Sequence, residues 1–344
     1  MKILLLGGTQ FVGRHLVEAA LARGHELTLF NRGTRGAALF PGVEQRHGDR
    51  RVDLSALSSG TWDAVIDCCG YLPREVQASV ELLAERVERY AFISSVSAYA
   101  SFAHSNAEDS PLGQSSALED PATEEITAVS YGPLKAACEA QVLACFGAPR
   151  SLIIRPALVV GPHDHTERFP YWPARVARAQ PDEPLLVPAP AEAALQWIDA
   201  RDLAAFTLDR LEQGQGGVFN LATTPGQHRF ADLLAACVRA ADHAFEPAWQ
   251  WMSAERLADL GVRPWQDLPL WLPAEGDYAA FLCTSNAAAL AAGLQLRSID
   301  ETVSDTLAWW RGLPESAQGF SKAGLSTERE QALLAQASTQ NLTE

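Results

Sequence analysis

Short apolar segments alternate with helical patterns along the first 156 residues of the chain. Between most of the apolar segments the hydrophobic positions recur at helical spacing, as in Phe11–Arg23, where Gly24 closes the predicted helix. The predicted strands are residues 2–6, Glu26–Phe30, Val43–Arg46, Ala64–Cys68, Ala91–Ser94 and Ser151–Arg155. Strands that alternate with helices form βαβ units, which predict an α/β fold with a doubly wound parallel sheet covered on both faces.

The pattern loosens beyond residue 156, where Pro-rich stretches at 162–190 and 264–273 separate the predicted elements. Predicted helices lie near 200–212, 229–241 and 285–292, and a strand lies near 217–220. Because 344 residues exceed the usual size of one hydrophobic core, we expect a larger domain over 1–156 and a smaller C-terminal α/β domain over 157–312. The remaining residues, 313–344, read as a polar tail. Short apolar runs at Gln196–Asp199 and Val218–Leu221 predict that the smaller domain also contributes strands to the sheet.

The charge of the chain opposes two classes of partner. Twenty-seven basic and forty-two acidic side chains give a formal net charge of −15, which repels phosphate backbones and anionic membrane surfaces. The opening apolar run stops at Gly7 and is too short for a signal peptide or a membrane span. We therefore expect a cytoplasmic protein that binds neither nucleic acid nor membrane.

Cysteine and histidine spacing predicts no metal site. The six cysteines contain no Cys-x-x-Cys pair and no spacing typical of zinc or of a disulfide framework. His163, Asp164 and His165 alternate in a Pro-flanked loop, where they lack further ligands. We interpret the cysteines as small buried hydrophobic residues.

The segment between the first strand and the first helix has the composition of a phosphate-binding turn. It reads Gly7-Gly8-Thr9-Gln10-Phe11-Val12-Gly13. Backbone N–H groups and the positive end of a helix suit a dinucleotide pyrophosphate at this place in the fold. Gln10 replaces the middle glycine of the usual three, and its carboxamide can donate hydrogen bonds to the pyrophosphate. The domain over 1–156 is therefore predicted to bind a dinucleotide.

The end of the second predicted strand indicates which dinucleotide is preferred. A carboxylate there would accept hydrogen bonds from the adenosine ribose and repel a 2′-phosphate, but this chain has Asn31, followed by Arg32 and Arg35. Because arginine binds phosphate in a bidentate manner, we favour NADP(H), with NAD(H) as the alternative. Asp49, after the third strand, is the candidate partner of the adenine amino group.

Tyr131 and Lys135 lie one turn apart in the helical stretch 130–146. A free phenol has a pKa of about 10, and a neighbouring ammonium favours the phenolate, which brings proton transfer to a carbonyl or alcohol within range. Lysine is scarce, since it occurs only at positions 2, 135 and 322. Ser95, with Ser97 as the second choice, follows a strand at the carboxyl edge of the sheet, where a hydroxyl would hydrogen-bond the reacting oxygen.

Taken together, these motifs resemble the extended short-chain dehydrogenase/reductases, specifically the NAD-dependent epimerase/dehydratase family. The motifs that carry the resemblance are Gly-Gly-Thr-x-Phe-Val-Gly at 7–13, Ser-Ser-x-Ser-x-Tyr at 94–99, Tyr-x-x-x-Lys at 131–135 and Arg155-Pro156. The segments 196–204 and 219–221 match later parts of the family pattern. The resemblance covers about residues 1–312. It implies a Rossmann sheet over 1–156 that binds the dinucleotide and a substrate domain over 157–312.

The resemblance also implies roles for individual residues. Tyr131 would be the acid/base, Lys135 the partner of the ribose and the phenol, and Ser95 the donor to the substrate oxygen. The predicted cofactor-binding residues are Gly7, Thr9, Gln10, Phe11, Val12, Gly13, Asn31, Arg32, Arg35, Asp49, Cys69, Gly70, Lys135 and Pro156. The predicted substrate residues are Ser97, Tyr99, Tyr171, Trp172 and Gln196. The chain departs from the family pattern at Gln10, Asn31 and Ala100.

Several functions are compatible with these motifs. The leading one is reduction or oxidation of a small-molecule carbonyl or hydroxyl by a monomer or homodimer. A nucleotide-sugar epimerase would use the same residues, with Arg168, Arg175, Arg178 and Arg201 available for a diphosphate. A dehydratase is disfavoured, because Val96 rather than an acid follows Ser95. An alternative of another class is an RNA-binding relative, as among plant plastid proteins, or a dinucleotide sensor without turnover.

Overall fold

A computed structural model describes residues 1–34, 36, 39–116 and 125–340. Its strands are β1 (Lys2–Leu6), β2 (Glu26–Asn31), β3 (Glu44–His47), β4 (Trp62–Asp67), β5 (Val87–Ile93), β6 (Ser151–Pro156), β7 (Leu158–Val160), β8 (Pro184–Pro188), β9 (Ala194–Leu195), β10 (Trp197–Asp199), β11 (Gly217–Leu221), β12 (His228–Arg229) and β13 (Ala248–Met252). Its helices are α1 (Phe11–Ala22), α2 (Pro73–Leu83), α3 (Tyr131–Arg150), α4 (Arg168–Ala177), α5 (Ala200–Glu212), α6 (Phe230–Ala241), α7 (Ala254–Asp259), α8 (Ala287–Ala291), α9 (Ile299–Arg311) and α10 (Thr327–Gln340).

Within the described residues, seven parallel strands form one sheet in the order β11-β6-β5-β4-β1-β2-β3. The chain winds outwards from β1 in both directions, since β1 pairs with β2 on one side and with β4 on the other. This arrangement places a topological switch point beside β1, where ligands bind at the carboxyl edge of such sheets. The doubly wound parallel sheet predicted from the sequence is confirmed.

Strand β1 is buried on both faces because helices cover both sides of the sheet. Ile3 and Leu5 belong to one hydrophobic core, to which α1 and α5 contribute. Leu4 and Leu6 belong to a second core, to which α2 and α3 contribute. A strand enclosed in this way needs apolar residues at consecutive positions rather than at alternate ones. The uninterrupted run at the start of the sequence is therefore explained by the layered fold.

The described chain divides into two compact units that are built from interleaved segments. The first unit consists of Met1–Val159, Trp197–Thr224 and Thr284–Leu296, and the second unit contains Val160–Gln196, Pro225–Cys283 and the chain from Arg297 on. Strand β11 is the edge strand of the large sheet next to β6, which is the contribution that the apolar run Val218–Leu221 predicts. The run Gln196–Asp199 yields β10, which lies outside the large sheet.

The second unit has its own core and includes most of the residues expected to form a polar tail. Ala174 of α4 packs with Leu307 and Trp310 of α9, and β8 pairs in parallel with β13. Glu330 of α10 is buried, and it accepts hydrogen bonds from the Arg175 Nε at 2.6 Å and from the Leu186 backbone nitrogen at 2.9 Å. Helix α10, which lies within the predicted tail, is thus held in the second unit through Glu330. No helix in the described ranges is long and apolar enough to cross a membrane.

Candidate active site

The turn between β1 and α1 is too tight to accommodate side chains. Gly7 and Gly8 adopt φ angles of +111° and +95°, a region that residues with a Cβ rarely enter. A Cβ on Gly13 would lie 2.7 Å from the backbone nitrogen of Gly8, and a Cβ on Gly7 would lie 2.7 Å from the Cys68 Sγ. The backbone of this turn is therefore bare, which is what the close approach of a pyrophosphate requires.

Helix α1 begins immediately after this turn, at Phe11. The side chain of Gln10 makes no capping hydrogen bond to the first turn of the helix, so the positive end of the helix dipole is not capped by that carboxamide. Thr9 and Val12 belong to the same short stretch of backbone. The residues predicted to bind the pyrophosphate thus lie in this turn and in the first residues of α1, and their binding of a dinucleotide stays a prediction.

The residues predicted at the adenosine end lie after β2 and β3. The Asn31 side chain donates to the Gln45 Oε1 at 3.0 Å and accepts from the Gly33 backbone nitrogen at 2.8 Å. Arg32 is exposed, whereas Arg35 lies outside the described residues. Asp49 accepts a hydrogen bond from the Arg51 backbone nitrogen at 3.0 Å. The Asn31 side chain therefore shapes the turn after β2, and Asp49 shapes the turn after β3.

A buried ion pair that sequence reasoning missed holds the loop after β4. Asp67 is 0% exposed and receives two hydrogen bonds from Arg50, at 2.7 and 2.9 Å, and one from the Tyr90 hydroxyl at 2.8 Å. The Asp67 Oδ1 also accepts a hydrogen bond from the Cys69 backbone nitrogen at 3.1 Å. This bond fixes the backbone of Cys69 and Gly70, two of the predicted cofactor residues. The sequence signal for this ion pair is the acidic residue Asp67, which directly follows the apolar run Ala64–Ile66.

Ser95 and Tyr131 are brought together by the close packing of α3 on the turn after β5. A Cβ on Gly132 would overlap the carbonyl oxygen of Ser97, so only glycine lets the start of α3 approach this closely. The Ser95 Oγ accepts a hydrogen bond from the Ser97 backbone nitrogen at 3.1 Å, and the Ser95 side chain is close enough to the Tyr131 hydroxyl to lower its pKa. Gly132 is another residue that sequence reasoning missed.

Lys135 is buried beneath this pair and is held by two carbonyl groups. Its Nζ donates to the Gly70 oxygen and to the Ile93 oxygen, both at 2.7 Å, and it lies 4.2 Å from the centroid of the Phe92 ring. Because an ammonium has three N–H donors, two carbonyl groups do not exhaust its hydrogen-bonding capacity. Lys135 thus links the loop after β4 and the end of β5 to α3.

Burial controls the ionisation of both titratable groups. It raises the pKa of the Tyr131 hydroxyl above its ordinary value, and the hydrogen bond with Ser95 opposes this by a smaller amount. Burial also lowers the pKa of the Lys135 ammonium. The sequence suggests a phenolate stabilised by the lysine, but the structure gives a raised phenol pKa because desolvation of the buried oxygen outweighs the favourable contacts.

Pro156 and Tyr99 are both buried in the first unit. Pro156 ends β6. The Tyr99 hydroxyl donates to the Asn220 Oδ1 at 2.7 Å and accepts from Arg155 at 3.1 Å. Since both capacities of this hydroxyl are used inside the protein, the structure assigns Tyr99 to a buried polar network and not to the predicted contact with substrate. Ser97, in contrast, is half-buried beside Ser95.

The three substrate residues predicted in the second unit are buried. Tyr171 and Trp172 are each 1% exposed, and Gln196 is 2% exposed. The Tyr171 ring contacts Phe320, and the Trp172 Nε1 donates to the Pro269 oxygen at 2.8 Å. Aromatic rings enclosed in this way pack in the core of the second unit, and contact of these residues with a substrate stays a prediction. Among the residues that the structure describes, no group of three or more His, Cys, Asp or Glu side chains could hold a metal ion.

Comparison with known proteins identifies a family model that matches this chain. The model for the NAD dependent epimerase/dehydratase family matches residues 3–222. Among curated proteins, the chloroplast stem-loop binding protein of 41 kDa b from Arabidopsis thaliana is 34% identical over 114 residues. That match covers 28% of this chain and 30% of the plant protein, so it spans less than a third of the relative's length.

Solved structures of low sequence identity share the fold. A putative epimerase from Burkholderia cenocepacia J2315 is 20% identical, with a TM-score of 0.65 over 89% of this chain and 97% of that chain. UDP-glucuronic acid 4-epimerase from Bacillus cereus, in complex with NAD, is 16% identical, with a TM-score of 0.63 over 90% and 96% of the two chains. The Bordetella bronchiseptica enzyme WbmG, in complex with NAD and UDP, is 17% identical, with a TM-score of 0.64 over 90% and 93%. At these identities the likeness concerns the fold alone.

Proposed function

The chain belongs to the NAD-dependent epimerase/dehydratase family, and on that premise we propose that it is an NADP(H)-dependent reductase or dehydrogenase of a small-molecule carbonyl or hydroxyl. The site consists of Ser95, Tyr131 and Lys135. The observation that carries the proposal is the close packing of α3 against the Ser97 carbonyl at Gly132, which places the Tyr131 hydroxyl where the Ser95 side chain opposes the rise in its pKa.

The protein residues supply the proton transfer and the orientation of the substrate. A bound nicotinamide dinucleotide supplies or accepts the hydride. In reduction, the Tyr131 hydroxyl donates its proton to the carbonyl oxygen, and Ser95 hydrogen-bonds the same oxygen. Burial raises the pKa of Tyr131, so the phenol keeps its proton at neutral pH, and this favours the reductive direction.

Lys135 has a supporting role in this proposal. Its ammonium is anchored by the Gly70 and Ile93 carbonyl groups, and its remaining N–H group is suited to a ribose hydroxyl. The bare backbone at Gly7 and Gly8 would hold the pyrophosphate. Cys69 and Gly70, fixed by the Asp67 carboxylate, would line the nicotinamide side of the cofactor.

Substitution of Tyr131 tests the proposal. Tyr131→Phe removes one hydroxyl from the proton path, so the turnover of a carbonyl substrate should fall by about 10²–10⁴-fold, while cofactor affinity, followed by tryptophan fluorescence, stays close to that of the wild type. Lys135→Ala should weaken both turnover and cofactor binding. Tyr278→Phe, at a tyrosine that is 55% exposed, is the matched control and should change neither. Full turnover by Tyr131→Phe would exclude this residue as the proton donor.

The preference for NADP(H) over NAD(H) rests on the residues after β2. Asn31 occupies the position where a carboxylate would repel a 2′-phosphate, and Arg32 is exposed beside it. Arg32→Ala should weaken binding of NADP(H) and leave that of NAD(H) almost unchanged. Arg311→Ala, an exposed arginine on α9, is the control. Tighter binding of NAD(H) by the wild type, unaffected by Arg32→Ala, would refute the charge argument.

Epimerisation of a nucleotide sugar is a second candidate function, favoured by the UDP-glucuronic acid 4-epimerase and the UDP-bound enzyme WbmG that share this fold. Two of the arginines considered for a diphosphate are already paired: Arg175 with Glu330 at 2.6 Å and Arg201 with Asp199 at 2.7 Å. A reductase consumes one reduced cofactor for each product molecule, whereas an epimerase leaves the cofactor balance unchanged. Stoichiometric oxidation of NADPH by a carbonyl substrate would therefore separate the two functions.

RNA binding is a candidate from another class, because the matched curated relative is named a stem-loop binding protein. The net charge of −15 opposes a sequence-independent attraction to RNA. We expect no retention of a stem-loop RNA in a filter-binding assay at physiological ionic strength. Micromolar retention that falls steeply with added salt would favour RNA binding over the reductase.

A further inference from the structure

One exposed aromatic residue lies next to the proposed catalytic centre but has no role in the proposed proton transfer. Tyr71 is in the loop between β4 and α2 and is 44% exposed. The aromatic residues of the neighbouring strand β5, Tyr90 and Phe92, are completely buried. An exposed aromatic side chain is unremarkable by itself, so its surroundings decide whether it has a function.

The surroundings of Tyr71 are the catalytic groups themselves. Its ring centroid lies 5.4 Å from the Lys135 Nζ, and the preceding residue, Gly70, accepts the hydrogen bond from that ammonium at 2.7 Å. The position of Tyr71 is thus fixed through its neighbour. Burial raises the pKa of the Tyr71 hydroxyl, and the charge that Tyr131 would carry as a phenolate raises it further.

The ring of Tyr71 can therefore act in two ways, by shielding the Lys135 ammonium and by packing against an apolar part of the substrate. Near Lys135 it excludes water from an ammonium that is 3% exposed. The ring is partly exposed and lies at the carboxyl edge of the sheet, where it offers a flat surface beside Lys135, the residue one helical turn from Tyr131. A substrate whose oxygen reaches Tyr131 brings the adjoining part of its carbon skeleton to this surface.

We propose that Tyr71 is a specificity-determining residue, whose ring packs against the group beside the reacting carbon and favours substrates with a flat apolar group there. This inference rests on the proposed function, since it presumes that the substrate oxygen binds at Tyr131. The favoured substrate would be an aryl ketone or a similarly planar one, because aromatic pairs gain energy beyond the area they bury.

Two substitutions at Tyr71 separate the ring from its hydroxyl. Tyr71→Leu keeps an apolar side chain but removes the flat ring, and Tyr71→Phe keeps the ring. With NADPH and the probes acetophenone and 2-butanone, Tyr71→Leu should lower kcat/KM for acetophenone about tenfold relative to 2-butanone, mainly through KM. Tyr71→Phe should leave that ratio as in the wild type. An unchanged ratio in Tyr71→Leu would overturn the proposal, and so would a loss of NADPH affinity that accounts for the whole effect.

A binding measurement distinguishes failure of this inference from failure of the proposed function. Saturation-transfer NMR of acetophenone with the NADP⁺-loaded protein should give a signal for the wild type and for Tyr131→Phe, and a weaker one for Tyr71→Leu, with circular dichroism confirming that each variant is folded. If no carbonyl is turned over but this difference in binding persists, the proposed function fails, and with it the role of Tyr71 in specificity, while the contact of Tyr71 with a planar apolar ligand is retained. If acetophenone does not bind, or binds equally to all variants, the role of Tyr71 is refuted.

Discussion

At the scale of single residues, the proton on Tyr131 depends on two opposing effects. Burial raises the pKa of its hydroxyl, and the hydrogen bond with Ser95 lowers it by less. The Ser97 backbone nitrogen donates to the Ser95 Oγ at 3.1 Å, which leaves the Ser95 proton free to point at the phenol oxygen. Ser95 is therefore the residue through which the ionisation of Tyr131 can be changed without removing the phenol.

Ser95→Ala should shift the pH dependence of the reaction towards higher pH. The substitution removes a hydrogen bond that favours the phenolate, so the pKa of Tyr131 rises further above its ordinary value. In the oxidative direction, where the phenolate accepts the proton, the ascending limb of kcat/KM should move to higher pH. Ser97→Ala retains the backbone N–H donor and should leave the limb where it is. A limb that Ser95→Ala does not move would contradict the proposed contact.

Gly132→Ala tests whether close packing brings Tyr131 to Ser95. The added Cβ would overlap the Ser97 carbonyl oxygen, so the start of α3 has to move away from the serine turn. We expect the free energy of unfolding to fall by about 1–3 kcal/mol. Turnover should fall by more than this loss of stability explains. Gly42→Ala, where a Cβ has nothing within 4 Å, is the control. Normal turnover in Gly132→Ala, measured beside thermal unfolding, would show that the contact is dispensable.

Sequence reasoning could identify the positions of candidate residues but not their partners. Tyr131 and Lys135 were predicted on one helix because their spacing is a local property, and both lie in α3. Tyr171 was assigned to substrate because an aromatic side chain suits a cleft and a core equally well, and the structure buries it. The contact of Arg50 with Asp67 joins residues seventeen positions apart, and no periodic pattern encodes such a contact.

At the scale of elements, prediction succeeded where the hydrophobic pattern was local. The predicted strand Ser151–Arg155 corresponds to β6, and the helix near 200–212 corresponds to α5. The Pro-rich stretch 162–190 was predicted to separate elements, yet it contains α4 and β8. Strand β8 exists because it pairs with β13, and a partner about sixty residues away leaves no signal in the local sequence.

Asp67→Asn should destabilise the first unit, because it leaves the Arg50 charge buried without its partner. Removal of one member of a buried ion pair costs about 3–5 kcal/mol, which urea unfolding would measure. Burial alone would raise the pKa of Asp67, but Arg50 and its hydrogen bonds lower it overall. The stabilisation is therefore present above the pKa of an unfolded aspartate, about 3.9, and is lost as the pH falls through the lower folded value.

The control for this prediction is Glu85→Gln, at an exposed position. It should change neither the free energy of unfolding nor its dependence on pH in the acid range. The Asp67→Asn variant should also lack the acid-range dependence that Asp67 contributes to the wild type. A wild-type stability for Asp67→Asn would mean that the Arg50 charge is solvated in another way.

At the scale of the whole molecule, the chain beyond residue 312 is part of the second unit. The Arg175 side chain is 7% exposed and is paired with Glu330 at 2.6 Å and with Glu183 at 2.8 Å. Glu330→Gln should lower the free energy of unfolding by about 1.5–3 kcal/mol, the usual contribution of a hydrogen bond to a charged group. Glu328→Gln, exposed on the same helix, should have no measurable effect in chemical denaturation. Equal stabilities would imply that α10 adds nothing to this unit.

The interleaving of the two units has a consequence for synthesis on the ribosome. Six strands of the large sheet are complete once Pro156 has emerged, but the seventh, β11, begins only at Gly217. At about 5–20 residues per second, the intervening sixty or so residues take about 3–12 s to be translated. During that interval β6 is an unpaired edge of the nascent sheet, with apolar residues at Leu152, Ile153 and Ile154. The newly made N-terminal portion is then most exposed to association with other chains and to capture by chaperones.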